Sequence, residues 1–151
     1  MTNILMVCLG NICRSPLAHG LLESKLPQDS FYIDSAGTGN FHIGDPPDHR
    51  SIAVAKSNGI DISNQQARQF KVSDFDAFDF IYVMDQSNYD NVIALARHDS
   101  DKEKVSRILK VVDNVGTKNV PDPYHGDLSD FEHVFSLLNN ACTSISKSLL
   151  A

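Results

Sequence analysis

Cysteine is scarce in this chain of 151 residues: Cys8, Cys13 and Cys142 are the three it has. An odd and small number builds no disulfide framework, which excludes the small domains held together by disulfides. No apolar run approaches the ~18 residues of a membrane span. The opening MTNILMVC has neither the basic segment nor the long apolar stretch of an export signal, so a soluble protein in a reducing, cytoplasmic setting is expected. Positive charge is also short. Lys and Arg number 13 against 19 Asp and Glu, a net charge of −6 with no basic cluster. Nucleic acid and anionic membrane both require a concentrated positive field, so neither is expected as a partner. Any anionic ligand must be held locally. With 42% hydrophobic and 21% charged residues and no low-complexity run, the chain reads as one globular domain over residues 1–151. That is enough chain to bury about 70% of its unfolded surface. A compact acidic domain of this kind is expected to be a monomer.

Apolar runs alternate with helical periodicity. Ile4 to Val7 form a continuous apolar run, the pattern of a strand buried on both faces. A polar loop follows, and from Ser15 and Pro16 the spacing of Leu17, Leu21 and Leu22 is helical, with proline suited to the first turn. Phe31 to Ile33 read as a second strand. Pro46 and Pro47 precede a helix through Ile52 and Ala55 that should stop at Asn58-Gly59. Phe80 to Met84 read as a central strand, Tyr89, Val92, Ile93 and Ala96 as a helix face, and Ile108 to Val112 as a further strand. A last helix carries Phe131, Val134, Phe135, Leu138, Cys142, Ile145 and Leu149 on one stripe. Repeated strand-then-helix units predict an α/β fold: an open, doubly wound parallel sheet of about four strands with helices on both faces. Ligands of such sheets lie beyond the carboxyl ends of the strands, where the strand order switches.

The loop at one such end reads Cys8-Leu9-Gly10-Asn11-Ile12-Cys13-Arg14-Ser15. Gly10 and Asn11 tolerate positive φ, so consecutive backbone amides can turn inward, and the following helix adds its partial positive charge. The result is a cradle for a tetrahedral oxyanion such as phosphate. Arg14 can fork two bonds to two of its oxygens. Cys8, in the same positive field, is favoured as a thiolate nucleophile. Ser15 is placed to hydrogen-bond the departing sulfur and Asn11 to brace the loop. A zinc reading of Cys8 and Cys13 lacks a second Cys/His pair, and Cys142 falls on the apolar stripe of the last helix. No metal and no cofactor are expected. Neither the Gly-x4-Gly-Lys-Ser/Thr nor the Gly-x-Gly-x2-Gly nucleotide pattern follows the first strand.

Displacement of a phosphoryl group by a thiolate requires a proton for the leaving oxygen. Pro121-Asp122-Pro123-Tyr124 offers a carboxylate on a stiff loop, with a proline fixing the backbone on either side of Asp122. Taken alone, Pro-Asp-Pro is a common turn; Cys8 gives it meaning.

The Cys8 to Pro16 segment, together with Asp34-Ser35-Ala36-Gly37-Thr38, Ala67-Arg68-Gln69 and Asp122-Pro123-Tyr124, resembles the low-molecular-weight protein tyrosine phosphatases over nearly the whole chain. The resemblance implies Cys8 as nucleophile, Arg14 as phosphate clamp and Asp122 as general acid and then base. Leu9, Gly10, Asn11, Ile12, Cys13 and Ser15 would form the phosphate loop, with Asn11, Ser15 and Ser35 as its supporting network. The order of parts, with Cys8 before Asp122, is the reverse of that in the larger classical tyrosine phosphatases. Gln65 stands where the family often has a loop-supporting histidine, Phe41 where some members have tryptophan, and His125 where some have a second tyrosine. Phe41, Tyr124 and His125 would wall the substrate cleft. Ile12, where relatives acting on phosphoarginine tend to have threonine, favours phosphotyrosine. The implied partners are phosphotyrosine proteins or peptides, with inorganic phosphate as product and inhibitor; family members can self-associate. Cys13 beside Cys8 suggests a reversible disulfide that protects an oxidised Cys8. Two other readings are an arsenate reductase, whose cysteine relay would need more than Cys8 and Cys13, and a phosphate-binding module that has lost catalysis, against which the pairing of Cys8 with Asp122 argues.

Overall fold

Four consecutive apolar residues are all buried only when a strand is covered on both faces, and β1 (Thr2–Cys8) is such a strand: Ile4, Leu5, Met6 and Val7 have no exposed surface. Alternation sends Ile4 and Met6 to one side and Leu5 and Val7 to the other, and each pair belongs to a different hydrophobic core. The computed structural model describes residues 1–112 and 116–151. After β1 come α1 (Arg14–Lys25), β2 (Phe31–Gly37), α2 (His49–Ser57), α3 (Asp74–Ala77), β3 (Phe80–Val83), α4 (Gln86–Ile93), α5 (Asp99–Glu103), β4 (Val105–Arg107) and the long α6 (Leu128–Leu150). The four strands are parallel in the order β2-β1-β3-β4. Leu17, Leu21 and Leu22 of α1 join Phe131, Val134 and Leu138 of α6 in the core with Ile4 and Met6. Phe75 of α3 and Val92 of α4 lie with Leu5 and Val7 in the other. The doubly wound α/β architecture is therefore the expected one. No helix among the described residues is long and apolar enough to cross a membrane.

The chain moves outward from β1 to β2, then returns to lay β3 along the other edge of β1. The strand order thus switches at β1, and the crevice beyond its carboxyl end is where ligands of open sheets bind. Cys8 is the last residue of β1.

Local signals set most element ends. Asp48 caps α2 by accepting the Arg50 amide, and Asn58 with Gly59 at φ 77° ends it. Asp127 accepts the amides of Ser129 and Asp130 while the Asp130 carboxylate accepts the Asp127 amide, a reciprocal cap that anchors the start of α6. One expected strand is displaced. The run Ile108 to Val112 does not pair in the sheet: the strand is Val105–Arg107, and Ile108–Val111 forms a 3-10 turn. Ile108 and Leu109 have no exposed surface and lie in the core beside α6, so their apolarity reports burial rather than extended backbone. The second strand is longer than the run Phe31 to Ile33, reaching Gly37.

Candidate active site

The loop leaving β1 closes around the sulfur of Cys8. Asn11 is at φ 57°, a left-handed conformation that asparagine tolerates, and the turn brings its amide 3.3 Å from Cys8 Sγ. Asn11 Nδ2 donates to Ser15 Oγ at 2.7 Å, which leaves the Ser15 hydroxyl proton for Cys8 Sγ, 3.0 Å away. Asn11 Oδ1 accepts the Arg68 amide at 3.0 Å. The loop is also bound from outside. Thr38 N–H donates to Cys8 O at 2.8 Å, Gly39 N–H to Leu9 O at 2.9 Å, Asp48 N–H to Ile12 O at 2.8 Å and the Ser51 hydroxyl to Cys13 O at 3.2 Å. With these carbonyls engaged on the outside, loop amides remain for the inside. The N-terminus of α1 has no side-chain cap, so its first amides are also open to an anion. Gly37 pairs with Cys8 in the sheet, and a Cβ there would lie 2.7 Å from Leu9 O and 3.2 Å from the Asn11 Cβ. The close approach of β2 to the loop depends on that missing atom.

Arg14 is only 3% exposed. Its Nη1 donates to Asp85 Oδ2 at 2.6 Å and to Val120 O at 2.9 Å, while Nη2 lies 3.8 Å from Asp122 Oδ2. Burial works against the cation, but the charge of Cys8, the Asp85 hydrogen bond and Asp122 outweigh it and raise the guanidinium above the ordinary arginine value. Asp85 is held in turn as the cap of α4, its Oδ1 accepting the Asn88 amide at 2.8 Å. Asp122 stands on the loop before α6 with its carboxylate about half exposed; Oδ1 accepts the Tyr124 amide at 3.1 Å.

Cys8, Leu9, Gly10, Ile12, Cys13 and Arg14 form the floor of a cavity of ≈ 180 Å³, with Phe41, His42, Asp122, Tyr124 and His125 around it. Phe41 projects outward at the rim, and the Tyr124 and His125 rings meet edge to face at 5.0 Å. Asn11 and Ser15 sit behind the floor. Two residues have no signal of their own in the sequence: Asp85, which fixes Arg14, and His42, whose Cδ2 would be 3.2 Å from a Cβ on Gly10 and whose ring lies 6.4 Å from that of Tyr124.

Ser35 lies outside the hydrogen bonds of the loop. Its hydroxyl pairs with His19 Nδ1 at 3.1 Å, and His19 Nε2 faces Glu23 at 3.3 Å. The imidazole beside Ser35 therefore comes from α1, whereas Gln65 uses its Nε2 on Pro16 O at 3.1 Å. The Cys13 thiol is pushed upward, first by burial and then by the charges of Asp48 and Cys8. Cys142 is buried on α6, its thiol directed at Ala18 O and pushed up to about 12 by burial, away from the cavity.

Fold and cavity together define an α/β protein whose first strand-to-helix loop curls into a cradle with a thiol at its bottom. The chain belongs to the low molecular weight phosphotyrosine protein phosphatase family, hydrolases acting on phosphotyrosine, whose family model matches residues 3–151. It is 38% identical over 165 aligned positions to the low molecular weight phosphotyrosine protein phosphatase of Dictyostelium discoideum, covering 97% of this chain and 92% of that one. Among solved structures, a protein tyrosine phosphatase from Entamoeba histolytica superposes with a TM-score of 0.94 at 33% identity, covering 99% of this chain and 97% of that one. YfkJ from Bacillus subtilis superposes with a TM-score of 0.91 at 33% identity, over 99% and 95% of the two chains.

Proposed function

We propose that Cys8, Arg14 and Asp122 together hydrolyse phosphotyrosine through a phosphocysteine. The observation that carries this reading is their convergence on one cavity, with two hydrogen-bond partners already on the Cys8 sulfur. The phosphoryl group lies among the inward amides of Leu9 to Arg14. Because Arg14 Nη1 is taken by Asp85 and Val120, Nε and Nη2 form the fork to two phosphoryl oxygens. Cys8 Sγ attacks phosphorus in line; the S–P bond forms as the bond to the tyrosyl oxygen breaks, and Asp122 gives that oxygen its proton. Asp122, now ionised, takes a proton from the water that attacks the phosphocysteine. The S–P bond breaks, and inorganic phosphate leaves. The Ser15 hydroxyl stabilises the thiolate as it departs, and Asn11 keeps that hydroxyl aimed. Cys8 must be ionised and Asp122 protonated at the start, so the rate falls on both sides of an optimum pH. Phe41, His42, Tyr124 and His125 give the cleft aromatic walls suited to a flat phosphorylated ring.

Hydrolysis of p-nitrophenyl phosphate in reductant and excess EDTA, wild type beside Cys8→Ser, tests the reading. EDTA-resistant turnover that the substitution abolishes is expected. An inactive reduced wild type, or an active Cys8→Ser, rejects it. The partners on this reading are phosphotyrosine proteins, with inorganic phosphate as product and competitor, and residues 1–151 act as one domain in the cytoplasm, where thiols stay reduced.

Cys13 is the redox partner in this account. Peroxide converts the Cys8 thiolate to a sulfenic acid with release of hydroxide; the Cys13 sulfur then displaces it as water to form a disulfide, which a dithiol reduces. Wild type inactivated by peroxide should recover in dithiothreitol, and Cys13→Ser should recover far less. Equal recovery of the two removes Cys13 from this role.

A further inference from the structure

The loop that carries Asp122 has little to hold it. Between residues 121 and 126 it makes two internal hydrogen bonds, Tyr124 N–H to Asp122 Oδ1 at 3.1 Å and Gly126 N–H to Pro123 O at 2.9 Å. Among the described residues, its hydrogen bonds to the rest of the protein are two, and both come from one side chain. Arg50 Nη2 donates to Tyr124 O at 2.9 Å and Arg50 Nη1 to Gly126 O at 2.9 Å. The same guanidinium is fixed from the opposite side, with Nε 3.1 Å from Asp48 Oδ1 and Nη2 3.0 Å from Asp48 Oδ2. Its Cζ lies 4.3 Å above the centre of the Phe131 ring at the start of α6. Asp48, finally, donates its amide to Ile12 O in the phosphate loop at 2.8 Å, and neighbouring Ser51 bonds Cys13 O. One unbroken path thus runs from the cradle through Asp48 and Arg50 to the loop of Asp122.

We propose that Arg50 is a positioning residue that sets the placement of Asp122 over the cradle, so that the proton donor and the nucleophile keep a fixed separation. The proposal rests on the assignment of Asp122 as the proton donor. Arg50 does not line the cavity; it acts through the two carbonyls it holds. Arginine suits the task because its planar fork serves two carbonyls and a carboxylate while its face lies on an aromatic ring, and an ammonium group cannot do all of these at once.

Kinetics of Arg50→Ala, Arg50→Lys, Asp122→Ala and Arg50→Ala/Asp122→Ala on phenyl phosphate and on 2,4-dinitrophenyl phosphate test it. Phenolate requires a proton as it leaves, whereas dinitrophenolate does not. Arg50→Ala should lower kcat/KM on phenyl phosphate by about tenfold to a hundredfold, the scale of a displaced catalytic group. It should change kcat/KM on the dinitrophenyl ester, which reports only the step that forms the phosphocysteine and not its later hydrolysis, and inhibition by inorganic phosphate, by no more than about twofold. Arg50→Lys should fall between wild type and Arg50→Ala on phenyl phosphate, and it provides the reading if Arg50→Ala does not fold. In the Asp122→Ala background, Arg50→Ala should lower kcat/KM on phenyl phosphate no further than about twofold, because the group it positions is gone. Equal losses of kcat/KM on both esters, or a full loss persisting without Asp122, would overturn the proposal. If Asp122→Ala itself lowers kcat/KM on both esters equally, the assignment of Asp122 fails instead, and the two failures are told apart.

Discussion

Replacement of Asn11 separates the three things this residue does. Asn11→Ala removes the donor to Ser15 Oγ and the acceptor of the Arg68 amide. Both partners are then left without their bond in a region where Asn11 and Ser15 are 3% and 0% exposed, at a cost of about 1–1.5 kcal/mol each. Alanine must also hold φ near 57°, which adds about 1 kcal/mol. The sum is about 3–4 kcal/mol of folding stability, or a fall in thermal midpoint on the order of 6–16 °C for a chain of this length. Asn11→Gly loses the same two hydrogen bonds but accepts the positive φ, so it should be more stable than Asn11→Ala by about 1 kcal/mol. Both variants release the Ser15 hydroxyl from its aim at Cys8 Sγ, and kcat on p-nitrophenyl phosphate should fall by about tenfold, as expected for one weakened hydrogen bond to a charged group. Urea denaturation followed by tyrosine fluorescence gives the stabilities, and initial rates give kcat. If Asn11→Ala is at least as stable as Asn11→Gly, or within about 0.5 kcal/mol of wild type, the strain and bonding assigned to Asn11 are wrong.

Arg14→Lys keeps the charge but loses the fork and the shared bond to Asp85 and Val120, so kcat/KM should fall by about 30- to 1000-fold; a near-normal rate would remove the clamp assignment. Asp122→Ala should slow phenyl phosphate by about 10²–10⁴-fold and leave thermal stability within about 0.5 kcal/mol of wild type, since its half-exposed carboxylate supports little of the fold. Gly37→Ala places a methyl group 2.7 Å from Leu9 O, which should push the phosphate loop from β2 and lose about 1–3 kcal/mol together with activity. Wild-type stability and rate in that variant would show that the approach of β2 to the loop is not needed.

Periodicity makes most of the fold legible in the amino-acid sequence, and loop chemistry points to residues that the fold gathers around one cavity. The unbroken run Ile4 to Val7 announces a strand covered on both faces, and the Cys8 to Ser15 loop, set between strand and helix, carries the features of an oxyanion cradle in its own residues. The Pro-Asp-Pro segment is readable only because Cys8 supplies a reason for it. Periodicity misleads where an apolar run serves burial without pairing: Ile108 and Leu109 fill the core from a 3-10 turn. Long-range partners are not legible at all. Asp85 reaches Arg14 across 71 positions of sequence, and Arg50 reaches Tyr124 across 74. Neither carries a local pattern to distinguish it from a surface charge. His19 is a similar case, since its helical spacing says nothing about Ser35 on β2.

The proposed hydrolysis turns on a covalent bond between Cys8 and phosphorus. Rapid mixing with a radiolabelled phosphotyrosine peptide, followed by acid quenching and mass analysis of the proteolytic fragments, tests it directly. Wild type should carry phosphate transiently on the fragment containing Cys8, Cys8→Ser should carry none while still binding the peptide, and an aryl phosphate with an activated leaving group should label Asp122→Ala for longer. Turnover with no phosphate on that fragment at any mixing time, or the same label in Cys8→Ser, would contradict the account.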